Sequence, residues 1–235
     1  MPGPVALVGA GEFLPAMADI DAGLLASTGV VRPRVVILPT ASYPDGEEVF
    51  QRWASMGVAH FAALGAEVEP VLVRDRDGAA DPGAAQAVGE ADLVYLSGGK
   101  PAHLRRALEG TAVGAALQAA HERGAVLAGC SAGAMFLAGH AFEFRVGLLP
   151  WPLRWGRGLG FAPGVSVIPH YDGWPEPFSA LIALQAPRGS VLLGIDEETA
   201  VIGRDGGWQV QGAARVTVWR GRHRERFRAG ETFRT

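Results

Sequence analysis

Short apolar runs that stop at small residues recur along the first part of the chain, and stretches with helical spacing separate them. Residues 5–8 run into Gly9-Ala10-Gly11, 35–38 into Pro39-Thr40, 93–96 into Ser97-Gly98-Gly99, and 126–128 into Gly129. Residues 68–73 form another such run, and 165–168 a sixth that ends at Pro169-His170. Between them, Phe50, Trp53, Phe61 and Leu64 share one face of a helix over 47–64. Residues 103–108 and 113–123 form a further helical stretch, broken near Gly110. Short runs without polar alternation are strands covered on both faces. Their alternation with helices predicts an α/β fold with a mostly parallel central sheet and helices on both faces. The pattern changes after residue 190. Runs at 191–195, 200–202, 208–210, 216–219 and 222–227 are separated by glycine-rich turns, which predicts a C-terminal antiparallel β meander closing the domain.

Length and composition bound the remaining classes. A chain of 235 residues with no repeat or linker fits one domain over 1–235. Hydrophobic residues at 49% and charged residues at 19% are globular proportions. A net charge of −3 argues against a nucleic-acid partner, and no apolar run has the length of a membrane span. The start, MPGPVALVGAG, lacks the basic segment and cleavage region of a signal peptide, so the expected location is cytoplasmic. The single cysteine excludes an intrachain disulfide and a multi-cysteine metal site. A monomer and a homodimer are equally compatible with these features.

In open α/β sheets, ligands bind beyond the carboxyl ends of the strands, so the residues at those ends carry the functional reading. Gly129-Cys130-Ser131-Ala132-Gly133 has the form of a nucleophile elbow, a sharp strand-to-helix turn with small neighbours. Ser131 holds its centre, whereas Cys130 is one residue off and points elsewhere, toward the sheet. A serine hydroxyl needs a base. His60 and His121 fall in helices, His140 follows the elbow too closely, and His223 sits in a charged strand. His170 follows an apolar strand at the expected edge and is the best base. Glu143, Asp172 and Glu197 are candidate acids that spacing alone does not rank. Backbone N–H groups of Gly99 and Ala132 could together face an oxyanion. Lys100, the only lysine, could meet a substrate carboxylate. Val8–Glu12 holds only part of a dinucleotide fingerprint, because Leu14 stands where the third glycine belongs. The alternating Arg220, Arg222, Arg224, Arg226 and Arg228 read as the solvated face of one strand.

These pieces, in this order, resemble the serine peptidase family of dipeptidase E and cyanophycinase. The resemblance rests on Tyr95-Leu96-Ser97-Gly98-Gly99 with Leu104, on Gly129-Cys130-Ser131-Ala132-Gly133-Ala134, on Pro169-His170, on Gly194-Ile195-Asp196-Glu197 and on Ala229-Gly230-Glu231. It implies a fold like the class I glutamine amidotransferases. It also implies a triad of Ser131, His170 and Glu197, with Glu143 as the fallback acid. The implied activity is cofactor-free and metal-free hydrolysis of small, aspartate-containing peptides. Gly98, Lys100, Arg145, Arg154 and Arg157 are the candidates for binding such a substrate, a guanidinium fork being well matched to a carboxylate. Three features depart from the family: Lys100-Pro101 follows the glycine pair, Tyr171-Asp172-Gly173-Trp174 stands where cyanophycinases have an Arg-rich segment, and residues 142–158 are rich in Trp, Pro and Arg. The altered loop leaves open a non-catalytic small-molecule binding or regulatory module on the same scaffold. An α/β-hydrolase esterase would instead need His223 as its base.

Overall fold

The computed structural model of the chain describes residues 1–143 and 153–235. Five parallel strands form its centre: β1 (Val5–Val8), β2 (Arg34–Leu38), β3 (Glu67–Pro70), β4 (Leu93–Leu96) and β5 (Val126–Cys130), in the spatial order β1-β5-β4-β2-β3. The intervening helices are α1 (Ala18–Ser27), α2 (Glu47–Ala63), α3 (Pro82–Glu90), α4 (Pro101–Leu108) and α5 (Ala112–Arg123), and α6 (Ala132–Leu137) follows β5 across a single residue. Successive side chains of a strand point to opposite faces. Accordingly Val5 and Leu7 join a core with Leu104, Leu108, Val113 and Leu117, whereas Ala6 and Val8 join one with Ile20, Leu24 and Phe61. Both faces of the parallel sheet are therefore covered. The break near Gly110 separates α4 from α5. Gly110 is left-handed at φ 67°, and the Thr111 hydroxyl accepts the Gly114 N–H to cap the new helix.

The remaining strands are β6 (Ala138–Glu143), β7 (Arg154–Arg157), β8 (Ala162–Ile168), β9 (Val191–Ile195), β10 (Thr199–Arg204), β11 (Gly207–Gly212), β12 (Arg215–Arg220), β13 (His223–Arg228) and β14 (Thr232–Arg234), with α7 (Glu176–Gln185) between β8 and β9. They correct the expected C-terminal arrangement. The late strands do not form one meander but divide between two sheets. β10 pairs antiparallel with the free edge of β1, and β11 and β14 extend that sheet outward. β9, β12 and β13 enter a second sheet, ordered β13-β12-β9-β8-β6-β7. The apolar run at 165–168 belongs to this second sheet, as β8, and not to the central one. The third run is also shorter than expected. Pro70 is the last residue of β3, and Val71 and Val73 are buried beyond it. The arginines at 220–228 do not share one strand, because β12 ends at Arg220 and β13 begins at His223.

This division positions the functional edge. β1, β4 and β5 end side by side at Val8, Leu96 and Cys130. β8 and β9 are parallel, with Ile168 opposite Gly194, so Pro169-His170 and Asp196-Glu197 leave the second sheet together. β10 then starts opposite the end of β1, with Ala200 against Val8, which brings the chain after Glu197 to the same edge.

Candidate active site

Ser131 sits between β5 and α6 at φ 50°, ψ −106°, a conformation that hard-sphere contacts disfavour for any residue with a Cβ. Backbone strain of this kind persists only where the surroundings impose it. The Ser131 N–H donates to the Val8 carbonyl at 3.0 Å, and its own carbonyl accepts from Met135 at 3.0 Å, so both ends of the turn are fixed. Cys130, one residue earlier, is fully buried. Burial first, and then the Glu12 carboxylate, push its thiol well above the ordinary value of 9.0. The register distinction between the two residues is thus a difference between a buried, protonated thiol and a hydroxyl on a pocket wall.

His170 is likewise held in the left-handed region, at φ 49°, ψ 42°. Its loop is anchored on both sides. The Trp174 indole N–H donates to the Pro169 carbonyl at 3.1 Å, and the neighbouring Tyr171 accepts the Trp219 indole N–H on its hydroxyl at 3.0 Å. The imidazole lies between two partners: Nε2 is 3.2 Å from Ser131 Oγ, and Nδ1 is 2.9 Å from Glu197 Oε1. A carboxylate only accepts, so Nδ1 carries the proton and Nε2 is left to accept from the serine hydroxyl. Asp172 does not touch the histidine. Its Oδ1 accepts the Glu197 N–H at 3.0 Å and so fixes the loop that carries the acid. Next to Glu197, burial first and then the Asp172 charge raise the Asp196 carboxyl above its usual range.

Ser131, His170 and Glu197 open onto a pocket of about 400 Å³ whose walls also include Glu12, Asp45, Trp53, Gly98 and Gly99. Gly99 is at φ 139°, and a Cβ there would lie 2.3 Å from the Ala41 carbonyl oxygen, so the loop closes against 41–42 only as glycine. Lys100 is at the rim, with Nζ 3.1 Å from Asp45 Oδ1. Ala132 opens α6, and among the described residues its N–H has no acceptor, nor does that of Gly99.

Other candidates lie elsewhere. Glu143 pairs with Arg105 at 3.2 Å and shares a separate small cavity with Arg157. Arg154, exposed on the edge strand β7, stands opposite Glu143. None of Glu143, Arg154 and Arg157 lines the pocket that holds Ser131. Arg145 lies outside the described residues. His223 is on the exposed β13 and faces Glu225 at 3.4 Å. A second cavity of about 310 Å³, between the N-terminal residues and Phe161, is lined by His121, Arg204 and Asp205 but by no serine or cysteine.

Sequence reasoning missed Glu12. Its neighbourhood was legible only as an incomplete phosphate-binding turn, yet the structure puts a carboxylate there, which is unsuited to a phosphate. The usable signal was an acidic residue directly after a glycine turn at a strand end. Asp45 and Trp53 were also missed as pocket residues, Trp53 because its helical spacing reads as core.

Comparison with known proteins gives a consistent picture. The model of peptidase family S51 matches residues 5–211. A crystal structure of a peptidase from an acI-B1 Actinobacterium is 32% identical, with a TM-score of 0.88, covering 100% of this chain and 98% of the other. A putative peptidase E from Listeria monocytogenes EGD-e, at 17% identity and a TM-score of 0.62, shares the fold over 91% of this chain and 100% of its own. No curated protein matches the chain. Among the described residues, no helix is long and apolar enough to cross a membrane.

Proposed function

Because the chain belongs to peptidase family S51 and is a serine-type peptidase, we propose that Ser131, His170 and Glu197 form its catalytic triad and that it cleaves small peptides, aspartyl dipeptides among them. One observation carries this reading. A single imidazole is within hydrogen-bond reach of both the Ser131 hydroxyl, at 3.2 Å, and the Glu197 carboxylate, at 2.9 Å. Ser131 Oγ attacks the scissile carbonyl carbon while His170 Nε2 takes its proton. Glu197 orients the ring and offsets the imidazolium charge. The oxyanion meets the N–H groups of Gly99 and Ala132. The intermediate then expels the amine, which His170 protonates, and leaves an acyl-Ser131. Water, deprotonated by the same Nε2, releases the acid. No step draws on a cofactor.

Substrate choice follows from the rim. The Lys100–Asp45 pair is exposed, and such a pair is worth little by itself, so it opens readily to other partners. An N-terminal aspartyl residue presents a carboxylate for Lys100 and an ammonium for Asp45. Release of free amino acids from a dipeptide panel tests both levels. Wild type is expected to cleave, Ser131→Ala not at all, and Lys100→Ala is expected to raise KM about tenfold for aspartyl members only. A wild type inert on every member while still binding some of them would favour the binding-module alternative. Equal effects of Lys100→Ala on all members would remove the aspartyl preference and leave the hydrolase.

A further inference from the structure

In the pocket wall, one carboxylate spans the two segments on which the proposed chemistry depends. We propose that Glu12 is a positioning residue that holds the Gly98-Gly99 loop against the nucleophile strand, so that the Gly99 N–H faces the oxyanion; this inference rests on the Ser131 hydrolase reading above. Glu12 is only 5% exposed, and both of its oxygens are engaged. Oε1 accepts the Gly98 N–H at 2.8 Å, and Oε2 accepts the Cys130 thiol at 2.8 Å. Gly98 immediately precedes Gly99, and Cys130 immediately precedes Ser131. One side chain therefore sets the distance between the proposed oxyanion donor and the nucleophile.

The hydrogen bonds around Gly99 show what this achieves. The Gly98 N–H is used by Glu12, and the Lys100 N–H by the Ala41 carbonyl at 2.7 Å. Of the three consecutive amides, only that of Gly99 is left without an acceptor among the described residues, and Gly99 lines the pocket with Ser131. The loop is also pressed close. A Cβ on Gly98 would stand 2.8 Å from Glu12 Oε1 and 3.4 Å from Ser131 Cβ, so any side chain there would press on the Glu12 carboxylate.

The backbone is distorted to deliver this carboxylate. Gly11 and Phe13, on either side of Glu12, are both left-handed, at φ 90° and φ 64°. Such a conformation is rare for a bulky residue. The Phe13 ring is anchored by Tyr95, with centroids 5.0 Å apart, and by Phe61 at 6.2 Å. An aromatic cluster thus holds a strained turn whose product is an inward-pointing acid. The two groups it meets are both donors, one N–H and one S–H. A carboxylate satisfies both, whereas an amide would set a donor against one of them.

The test compares Glu12→Ala and Glu12→Gln with wild type in kcat, KM and amide hydrogen exchange. In Glu12→Ala, kcat on the best dipeptide is expected to fall about 10²-fold or more, the range for losing an oxyanion donor, with KM nearly unchanged. Exchange is expected to accelerate over 98–100 while β2 and β4 keep their protection. Glu12→Gln keeps an oxygen for the Gly98 N–H and is expected to recover at least about tenfold of that loss. An unchanged kcat, or exchange that rises equally throughout the molecule, would overturn the proposal and leave Glu12 a packing residue. Should Glu12→Ala not fold, Glu12→Asp keeps the charge, withdraws it by one methylene and carries the same expectations. A wild type that cleaves no peptide would overturn the hydrolase reading itself, and slow exchange at 98–100 in Glu12→Ala would separately overturn the tie.

Discussion

Two acid-containing pairs adjoin the same pocket, and the fold treats them in opposite ways. The side chains of His170 and Glu197 are 47% and 57% exposed, whereas Cys130 is wholly buried and Glu12 nearly so. An exposed pair contributes little to stability, because water competes for each partner. It remains open to substrate and solvent. A buried pair cannot exchange protons easily, but it holds its geometry, since either partner left alone bears the cost of an unsatisfied polar group. The contrast suggests a division of labour in which the surface pair does chemistry and the buried pair fixes distances. Substitutions should therefore separate activity from stability.

The largest effect is expected from His170→Ala. Loss of the proposed general base should lower kcat by about 10⁴ while the melting temperature barely moves, as measured by steady-state turnover and calorimetry. A large fall in stability would break the comparison, because it would make the exposed histidine a structural element. Glu197→Gln comes next. It keeps the shape of the acid but removes its charge, and a kcat loss of about 10²–10⁴ is expected. Glu143→Gln is the matched control. Glu143 faces Arg105 rather than His170, so turnover should stay within about twofold of wild type. The reverse outcome would transfer the role of acid to Glu143.

On the buried side, the cysteine is probed through stability. Cys130→Ala leaves Glu12 Oε2 without a donor and should cost about 1–3 kcal/mol in chemical denaturation. Native Cys130 should also resist alkylation until the chain unfolds. Its thiol is raised by burial and by Glu12, so the folded chain keeps a proton that the unfolded chain gives up near pH 9. The stability due to this proton is complete below that pH and is lost as the pH climbs above it. A wild-type stability curve that is flat up to pH 10, where a Cys130→Ala curve is also flat, would break this side of the comparison.

Much of the functional edge was legible because its signals are local. Gly129–Gly133 marks a turn, its centre separates Ser131 from Cys130, and Pro169-His170 ends an apolar run. What failed was long-range pairing. The run at 165–168 reads as a strand, but nothing in its four residues says which sheet it joins. That Glu197, rather than Asp172 or Glu143, stands beside His170 depends on the parallel register that sets Ile168 opposite Gly194, and spacing along the chain does not encode that register. Arg154 and Arg157 stood out by charge, and they lie on β7 rather than among the residues that line the Ser131 pocket. Glu12 escaped notice because the strain that turns it inward sits on Phe13, a residue whose identity gives no hint of a left-handed backbone.

The central claim is that Ser131, and not its cysteine neighbour, is the nucleophile. Reaction with a fluorophosphonate, followed by peptide mapping in a mass spectrometer, tests it most directly. A single adduct is expected on Ser131, absent from Ser131→Ala and strongly slowed in His170→Ala. A folded protein that takes up no label at Ser131, or takes it up at another residue, would contradict the claim.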